Sequence, residues 1–340
     1  GAPWNQKVRS PGGGDNLFLD SIVALDPDTG EYLWHYQNTP GETWDYNSNM
    51  DIILADLEID GRTVKAMMQA PKNGFFYVHD RENRKLLSAE TYAEINWATH
   101  VDMETGRPVE RPGARYEDGE ERISPTPAGA HSWHAMSYNP MTGLVYIPVL
   151  QISAVYNDEG IDPDSWQSAV FEGDTTAVGW RIVEDRTHVA GSLQARDPVT
   201  NTVAWEVPMY GIGNAGTMTT AGNLVFQGRV DGTLRAYNAT TGKELWLLYG
   251  CYRNKDKANG PVFTSASCYQ LGRFDGQTFT PVSPLRDAHH GPNFYGALIF
   301  TNEPRSRAVM MGWARGSRFP DEPFNQCATV PLLLTVKAIN

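Results

Sequence analysis

The sequence is poor in cationic side chains, and those it has do not cluster. Lys and Arg number 28 against 40 Asp and Glu, a net charge of −12. A nucleic acid is held by a basic stripe that displaces counterions, so this balance argues against DNA or RNA as a partner. Long apolar runs are also missing. Leu332-Leu333-Leu334 is far short of the roughly 18 residues a membrane-crossing helix needs, so no span is expected. Cysteine is scarce: Cys251, Cys268 and Cys327 are odd in number and widely spaced. No CxxC or CxxCH occurs, which excludes c-type haem attachment within these residues and gives no zinc pattern. A Cys251–Cys268 disulfide and unpaired thiols both stay open. The opening "GAPWNQKVRSPGGGDN" has no initiator Met, no charged n-region and no apolar h-region, and starts inside what reads as a loop. A fragment or processed form is expected, with no compartment signal of its own.

Helical periodicity is nearly absent too, whereas 32 Gly and 22 Pro mark a turn-rich, all-β chain. The strongest positive signal is self-similarity. "IVALDPDTGEYLW" (22–34), "LQARDPVTNTVAW" (193–205) and "LRAYNATTGKELW" (234–246) share one template, a strand, an Asp/Asn-x-x-Thr-Gly/Asn turn and a returning strand closed by Trp. The acidic or amide side chain caps the turn, and Gly supplies the positive φ. Looser copies are "FYVHDRENRKLL" (76–87) and "MSYNPMTGLVYI" (136–147), while "HVDMETGRPV" (100–109) keeps the turn alone. Five strand-bearing copies at intervals of roughly 40 to 60 residues predict a β-propeller with about five blades visible. A β-sandwich is the alternative, but sandwiches do not repeat a Trp-closed hairpin. The division expected is 1–249 as a partial propeller and 250–340 as a poorly matching segment. In the latter only "AVMMGWARG" (308–316) and "LLLTVKAIN" (332–340) read as returning strands.

Two polar positions stand out against this frame. In "TPGETWDYNSNMDIILADLEIDG" (39–61), Asp45 lies between Trp44 and Tyr46 just ahead of the apolar run Ile52-Ile53-Leu54. Read alone, Asp45 is a turn residue bonding its own backbone. In "APKNGFFYV", Lys72 occupies a turn between two apolar strands, where a lone Lys normally points into solvent.

Several stretches together resemble the pyrroloquinoline-quinone-dependent alcohol dehydrogenases of the methanol and ethanol group. They are "SPGGGDNLFLDSIVALDPDTGEYLWHYQNTPGETWDY", "QAPKNGFFYVHDR", "NWATHVDMETGRPV", "HSWHAMSYNPMTGLVYIPV" and "TAGNLVFQGRVDGTLRAYNATTGKELW". The resemblance runs from Gly1 to about Tyr249 and implies an incomplete propeller of the eight-bladed quinoprotein type. It implies that Asp45, in the Trp-Asp-Tyr motif, is the general base for the alcohol and also a ligand to Ca²⁺. Lys72 is implied to reach the quinone oxygens, and Trp133 in "AHSWHAM" to contact the cofactor, with Ser132 where many members carry Asn. In "GIGNAGTMTTAG", Gly213 replaces a Trp common in the family. Asn96 and Trp97 match as well and are read as loop structure. His131, His134, His289 and His290 show no metal-like pairing and are read as polar loop residues. The family's remaining calcium ligands, a Glu and an Asn, fall outside these residues, as do its adjacent-Cys disulfide ring and stacking Trp. The chain alone is therefore expected to bind neither quinone nor calcium stoichiometrically.

The resemblance further implies a small alcohol as substrate, a cytochrome c-type electron acceptor and a periplasmic location. Asn47 stands where lanthanide users place a second Asp, which favours calcium. The alternatives are a quinoprotein for a polyol or aldehyde and, from another class, a non-catalytic propeller scaffolding protein assembly.

Overall fold

The computed structural model describes residues 3–168, 175–183, 189–212, 214–221, 223–231 and 234–247, and beyond them the backbone of eight short strands between 268 and 334. Gly213, Cys251, His289 and His290 lie outside the described residues. By compactness the chain divides into Gly1–Val225 with Ala239–Gly242, and Phe226–Asn238 with Lys243–Asn340.

After one helical turn, α1 (Gln6–Arg9), the first unit is built of antiparallel strands. β1 (Ser21–Leu25) and β2 (Tyr32–Gln37) form a hairpin. β3 (Ile53–Ile59), β4 (Arg62–Gln69), β5 (Phe75–Asp80) and β6 (Lys85–Thr91) make a four-stranded meander in sequential order. β3 alternates, burying Ile53 and Leu57 while exposing Leu54 and Glu58, as an edge strand with one wet face should. β5 lies inside the sheet and is buried from Phe75 to His79, the first four of these residues forming a continuous apolar and aromatic run.

β7 (Ala98–Asp102) and β8 (Arg107–Glu110) also pair as a hairpin. The copy at 100–109, read from sequence as a turn alone, thus carries both strands. Its apolar residues are too few for the pattern to show, and the backbone ladder holds it. β9 (Glu121–Ile123), β10 (Ser137–Asn139), β11 (Leu144–Leu150), β12 (Ala154–Asn157), β13 (Gly179–Ile182), β14 (Val189–Asp197) and β15 (Thr202–Tyr210) complete two further sheets. One is the four-stranded β10-β11-β14-β15, so the copies at 136–147 and 193–205 belong to a single blade. The other is β13-β12-β9, in which β12 and β13 come from the segment between β11 and β14 and β9 from ahead of β10. β16 (Thr217–Thr220) starts beside β10, where the Thr217 N–H donates to the Ala135 carbonyl at 2.7 Å.

The turn chemistry follows the repeat. Asp26 Oδ1 accepts from the Asp28 and Thr29 N–H groups at 2.9 and 2.8 Å, and Gly30 closes the turn at φ +75°. The same side-chain cap recurs at Asp102, Asn139 and Asp197. The Thr29 and Asp28 N–H groups hold the Asp26 carboxyl below its ordinary range. Blades are joined by polar side chains as well as apolar ones. Arg196 on β14 donates to Asn201 and to the Thr91 carbonyl, and Asn201 reaches the Phe76 carbonyl at 3.2 Å. The closing Trp205 packs on Tyr146 at 5.6 Å and donates to the Ala239 carbonyl.

Two apolar clusters lie between these sheets. One joins Ile53, Met68, Phe76 and Val78 to Val145, Ile147 and Val149. The other gathers Trp44, Tyr46, Phe75, Tyr77, Trp97, Tyr116, Ile123 and Tyr156. Each large side chain so buried contributes about 1.5–3 kcal/mol relative to exposure. In the second unit, β17 (Leu224–Gly228, whose first two residues belong to the first unit) leads to the hairpin of β18 (Leu234–Asn238) and β19 (Glu244–Leu247). Farther on, Phe294–Phe300 pairs with Ala308–Ala314, which pairs with Leu332–Leu334, so both stretches read as returning strands do form strands.

Candidate active site

Between β2 and β3 the chain runs without a strand, yet its side chains are largely buried. The aromatic residues explain how a loop can be fixed there. Trp44 and Tyr46 are fully buried, stack at 5.4 Å and close on Trp97 at 5.1 and 5.6 Å. Their polar ends are satisfied: Trp44 Nε1 donates to the Ala114 carbonyl at 2.9 Å, and Tyr46 OH to the Pro125 carbonyl at 2.7 Å. Arg115 lies over the Trp44 ring at 5.2 Å.

Asp45, held between these rings, adopts φ +68°, a region that costs a residue with a Cβ on the order of 1 kcal/mol or more. The two aromatic side chains stay in the core while the carboxylate goes elsewhere. It meets Lys72. Lys72 Nζ donates to Asp45 Oδ2 at 2.8 Å and to the Asp45 carbonyl at 2.9 Å, and Asn47 Nδ2 donates to Oδ1 at 3.2 Å.

Lys72 comes from the β4–β5 turn and is 7 % exposed, so the solvated tip ordinary for a turn lysine is not what forms. Gly129, at φ +80°, makes room: a Cβ there would lie 2.6 Å from Lys72 Cβ and 2.7 Å from the His131 carbonyl. Asn73, next in the turn, is fully buried and donates to the Asn38 carbonyl, Thr39 and Tyr77, locking the turn to the Asp45 loop. Trp97 Nε1 donates to the Asn73 carbonyl at 2.8 Å. Trp97, in the bend just before β7, is thus a loop residue whose ring forms the floor under both segments, and Asn96 beside it bonds Arg122 and Ser124.

Trp133 follows the residues that flank Lys72, since the Ala130 N–H donates to the Lys72 carbonyl at 3.0 Å. Its ring is 37 % exposed and stacks on His134 at 4.2 Å, so it is not blade core. His131 departs from the polar-loop expectation. It is fully buried, with Nδ1 and Nε2 each 2.6 Å from a carbonyl oxygen, of Ala70 and His134. Burial pushes the nearby Asp51 carboxyl up, opposed by the His131 charge, and its oxygens accept from the Met136 N–H.

A second polar group lies behind the site. Asp20 accepts from the Ser48 hydroxyl, and Asn38 Nδ2 bridges Ser48 and Gln69. Burial raises the Asp20 carboxyl from 3.8 to about 8, against the Ser48 hydrogen bond. Below about pH 4 Asp20 is protonated both folded and unfolded, and its own contribution to stability is fully present. As pH rises toward 8 the unfolded chain releases this proton and the folded chain keeps it, so stability falls, by ~1.4 kcal/mol per unit at most. Asp20→Asn is expected to flatten that slope. Urea midpoints of the two proteins should coincide near pH 4 and diverge by pH 8 in favour of the variant. Parallel profiles would remove Asp20 from the account.

Among the described residues no group of three or more His, Cys, Asp or Glu side chains is placed to hold a metal ion. No helix among them is long and apolar enough to cross a membrane.

Four-stranded antiparallel sheets of this kind are the blades of an incomplete β-propeller, and its likeness to solved quinoprotein dehydrogenases gives the class. A family model described as the glucose/ethanol/alcohol dehydrogenase β-propeller domain matches residues 7–89. A model described as outer membrane protein assembly factor BamB matches 126–256, and one for the N-terminal domain of glycosyl hydrolases family 32 matches 238–340. Quinohemoprotein alcohol dehydrogenase ADH IIB of Pseudomonas putida is 52% identical over 249 residues, 72% of this chain and 35% of that protein. The 1-butanol dehydrogenase (cytochrome c) of Thauera butanivorans is 44% identical over 253 residues, 72% of this chain and 36% of that protein. The crystal structure of quinohemoprotein alcohol dehydrogenase from Comamonas testosteroni superposes with a TM-score of 0.67 at 38% identity, covering 92% of this chain and 41% of that one. Over the matched residues, then, the chain belongs to the pyrroloquinoline-quinone-dependent alcohol dehydrogenase family. It spans about a third of the length of the curated relatives it matches.

Two contributors escaped the sequence reading. Glu42 and Gly129 carry no motif of their own, and the available signal was position: a carboxylate three residues before Asp45, and a Gly beside the "AHSWHAM" loop.

Proposed function

We propose that these residues form part of a quinoprotein dehydrogenase that oxidises small alcohols, with Asp45 as the general base. What supports this most is the pairing of Asp45 Oδ2 with Lys72 Nζ at 2.8 Å, two residues 27 apart in sequence held side by side and mostly buried. A base must come within hydrogen-bond reach of the hydroxyl whose proton it takes, and a carboxylate whose second oxygen meets only an amide N–H can turn toward one. Lys72 has three N–H donors and spends two on Asp45, leaving one for an anionic oxygen. That fits a quinone, whose oxygens gain negative charge on reduction, and Trp133, exposed on the adjoining loop, would line the cofactor. Bound pyrroloquinoline quinone would supply the acceptor for the hydride leaving the carbinol carbon.

Calcium fits these residues less well. It takes six to eight oxygens, and Asp45 would offer one carboxylate, so the described residues do not make a calcium cage by themselves. A cytochrome c-type acceptor and a periplasmic setting go with this reading, and the first is supported by the butanol dehydrogenase relative. An assembly scaffold is the second reading, favoured by the assembly-factor match at 126–256, but Asp45 and Lys72 both lie outside that stretch.

The test uses the complete protein carrying these residues, loaded with excess quinone and Ca²⁺ and then desalted. About one quinone per chain and dye-linked alcohol oxidation are expected. Lys72→Ala should lose most of the quinone on desalting with an unchanged circular-dichroism spectrum. Full retention by the variant would overturn the role of Lys72, and no quinone in the unmodified protein would leave the scaffold reading in its place.

A further inference from the structure

We propose that Glu42 is the positioning residue that aims Asp45 at Lys72; the inference rests on the reading of Asp45 as the base. Glu42 is 2 % exposed, and its Oε1 accepts from both backbone N–H groups flanking Asp45, Trp44 N at 2.5 Å and Tyr46 N at 2.7 Å. Two donors converging on one oxygen curl the chain about the carboxylate and throw the intervening side chain outward. That is the backbone shape in which Asp45 has φ +68° and presents both its carbonyl and its carboxylate to Lys72. Without Glu42 the two N–H groups would be buried donors with no acceptor, and an extended Asp45 would relieve its strain by leaving Lys72.

Glu42 is itself held. Arg9 Nη1 lies 3.7 Å from Oε2, and Arg9 Nη2 donates to the Glu42 and Trp4 carbonyls. Burial pushes the Glu42 carboxyl up, offset by the Tyr46 N–H and the Arg9 charge, with the Asp45 charge adding to the rise. The protein thus keeps a costly buried acid whose side-chain hydrogen bonds go to the two neighbours of Asp45, with Arg9 as a counter-charge at 3.7 Å.

Lysine acylation of the full chain, read residue by residue by mass spectrometry, measures whether Lys72 is covered, and it needs neither quinone nor turnover. Glu42→Ala should raise the Lys72 rate about tenfold or more while the exposed Lys65 keeps its rate. Glu42→Gln, whose amide oxygen can still accept both N–H groups, should restore the protection. Lys72 equally covered in Glu42→Ala would overturn the proposal, as would equal exposure in both variants with a normal melt. Should Glu42→Ala not fold, the unmodified chain still decides. The Trp44 and Tyr46 amides should be protected from hydrogen exchange and shift together as Glu42 titrates, and free exchange at either would overturn it. A protected, Glu42-dependent Lys72 in a protein that oxidises no alcohol would leave the geometry standing and sink only the catalytic reading.

Discussion

Asp45→Asn is expected to lower kcat for a small alcohol by about a hundredfold or more in the complete, quinone-loaded protein, because losing a general base commonly costs ~10²–10⁴. The substitution isolates the proton transfer. An Asn side chain has nearly the same shape, its oxygen can still accept from Lys72, and the Glu42 bonds to the flanking N–H groups involve only backbone. Quinone occupancy and KM should therefore change little while kcat collapses. Turnover within twofold of the unmodified protein would return Asp45 to the role of a turn residue.

Trp97→Ala should be the most damaging substitution for the fold, at about 3–5 kcal/mol. The ring is fully buried and meets Trp44, Tyr46 and Phe75 at centroid distances of 5.1, 5.6 and 6.0 Å. Its removal opens a cavity under the Asp45 loop and takes the donor from the Asn73 carbonyl beside Lys72. Urea unfolding should show a lower midpoint with an unchanged slope, and Lys72 should become open to acylation. A loss below ~1 kcal/mol would mean that the neighbouring rings refill the space.

What could be read from sequence was local. The turn cap at Asp26 needs only neighbours two to four residues away, so its chemistry is written within one repeat and the hairpins follow. Asp45 and Lys72 were legible through their motifs, but their contact was not. It depends on a positive φ at one residue and on a missing Cβ at Gly129, 57 positions beyond Lys72. Glu42 was passed over for a related reason: a buried carboxylate capping backbone N–H groups is spelled like any acidic loop residue. The core role of Trp97 is not legible in its own neighbourhood, because its ring partners come from two other segments, 44–46 and 73–75. The small sheet of β9, β12 and β13 gave no signal, since strands of three or four residues are too short for alternation to show.

That small sheet has a bearing on the protein's life before it is folded. Leu150 must pair with Gly191, roughly forty residues later, and two of the sheet's three strands, β12 and β13, are synthesised between them. At ribosomal speeds of about 5–20 residues per second, β11 waits a few seconds with β10 on one side and an open edge on the other. All seven of its side chains are apolar or aromatic and end up buried. Until β14 emerges, that edge is the part of the nascent chain best suited to join another copy of itself, and crowded translation would tax this blade first.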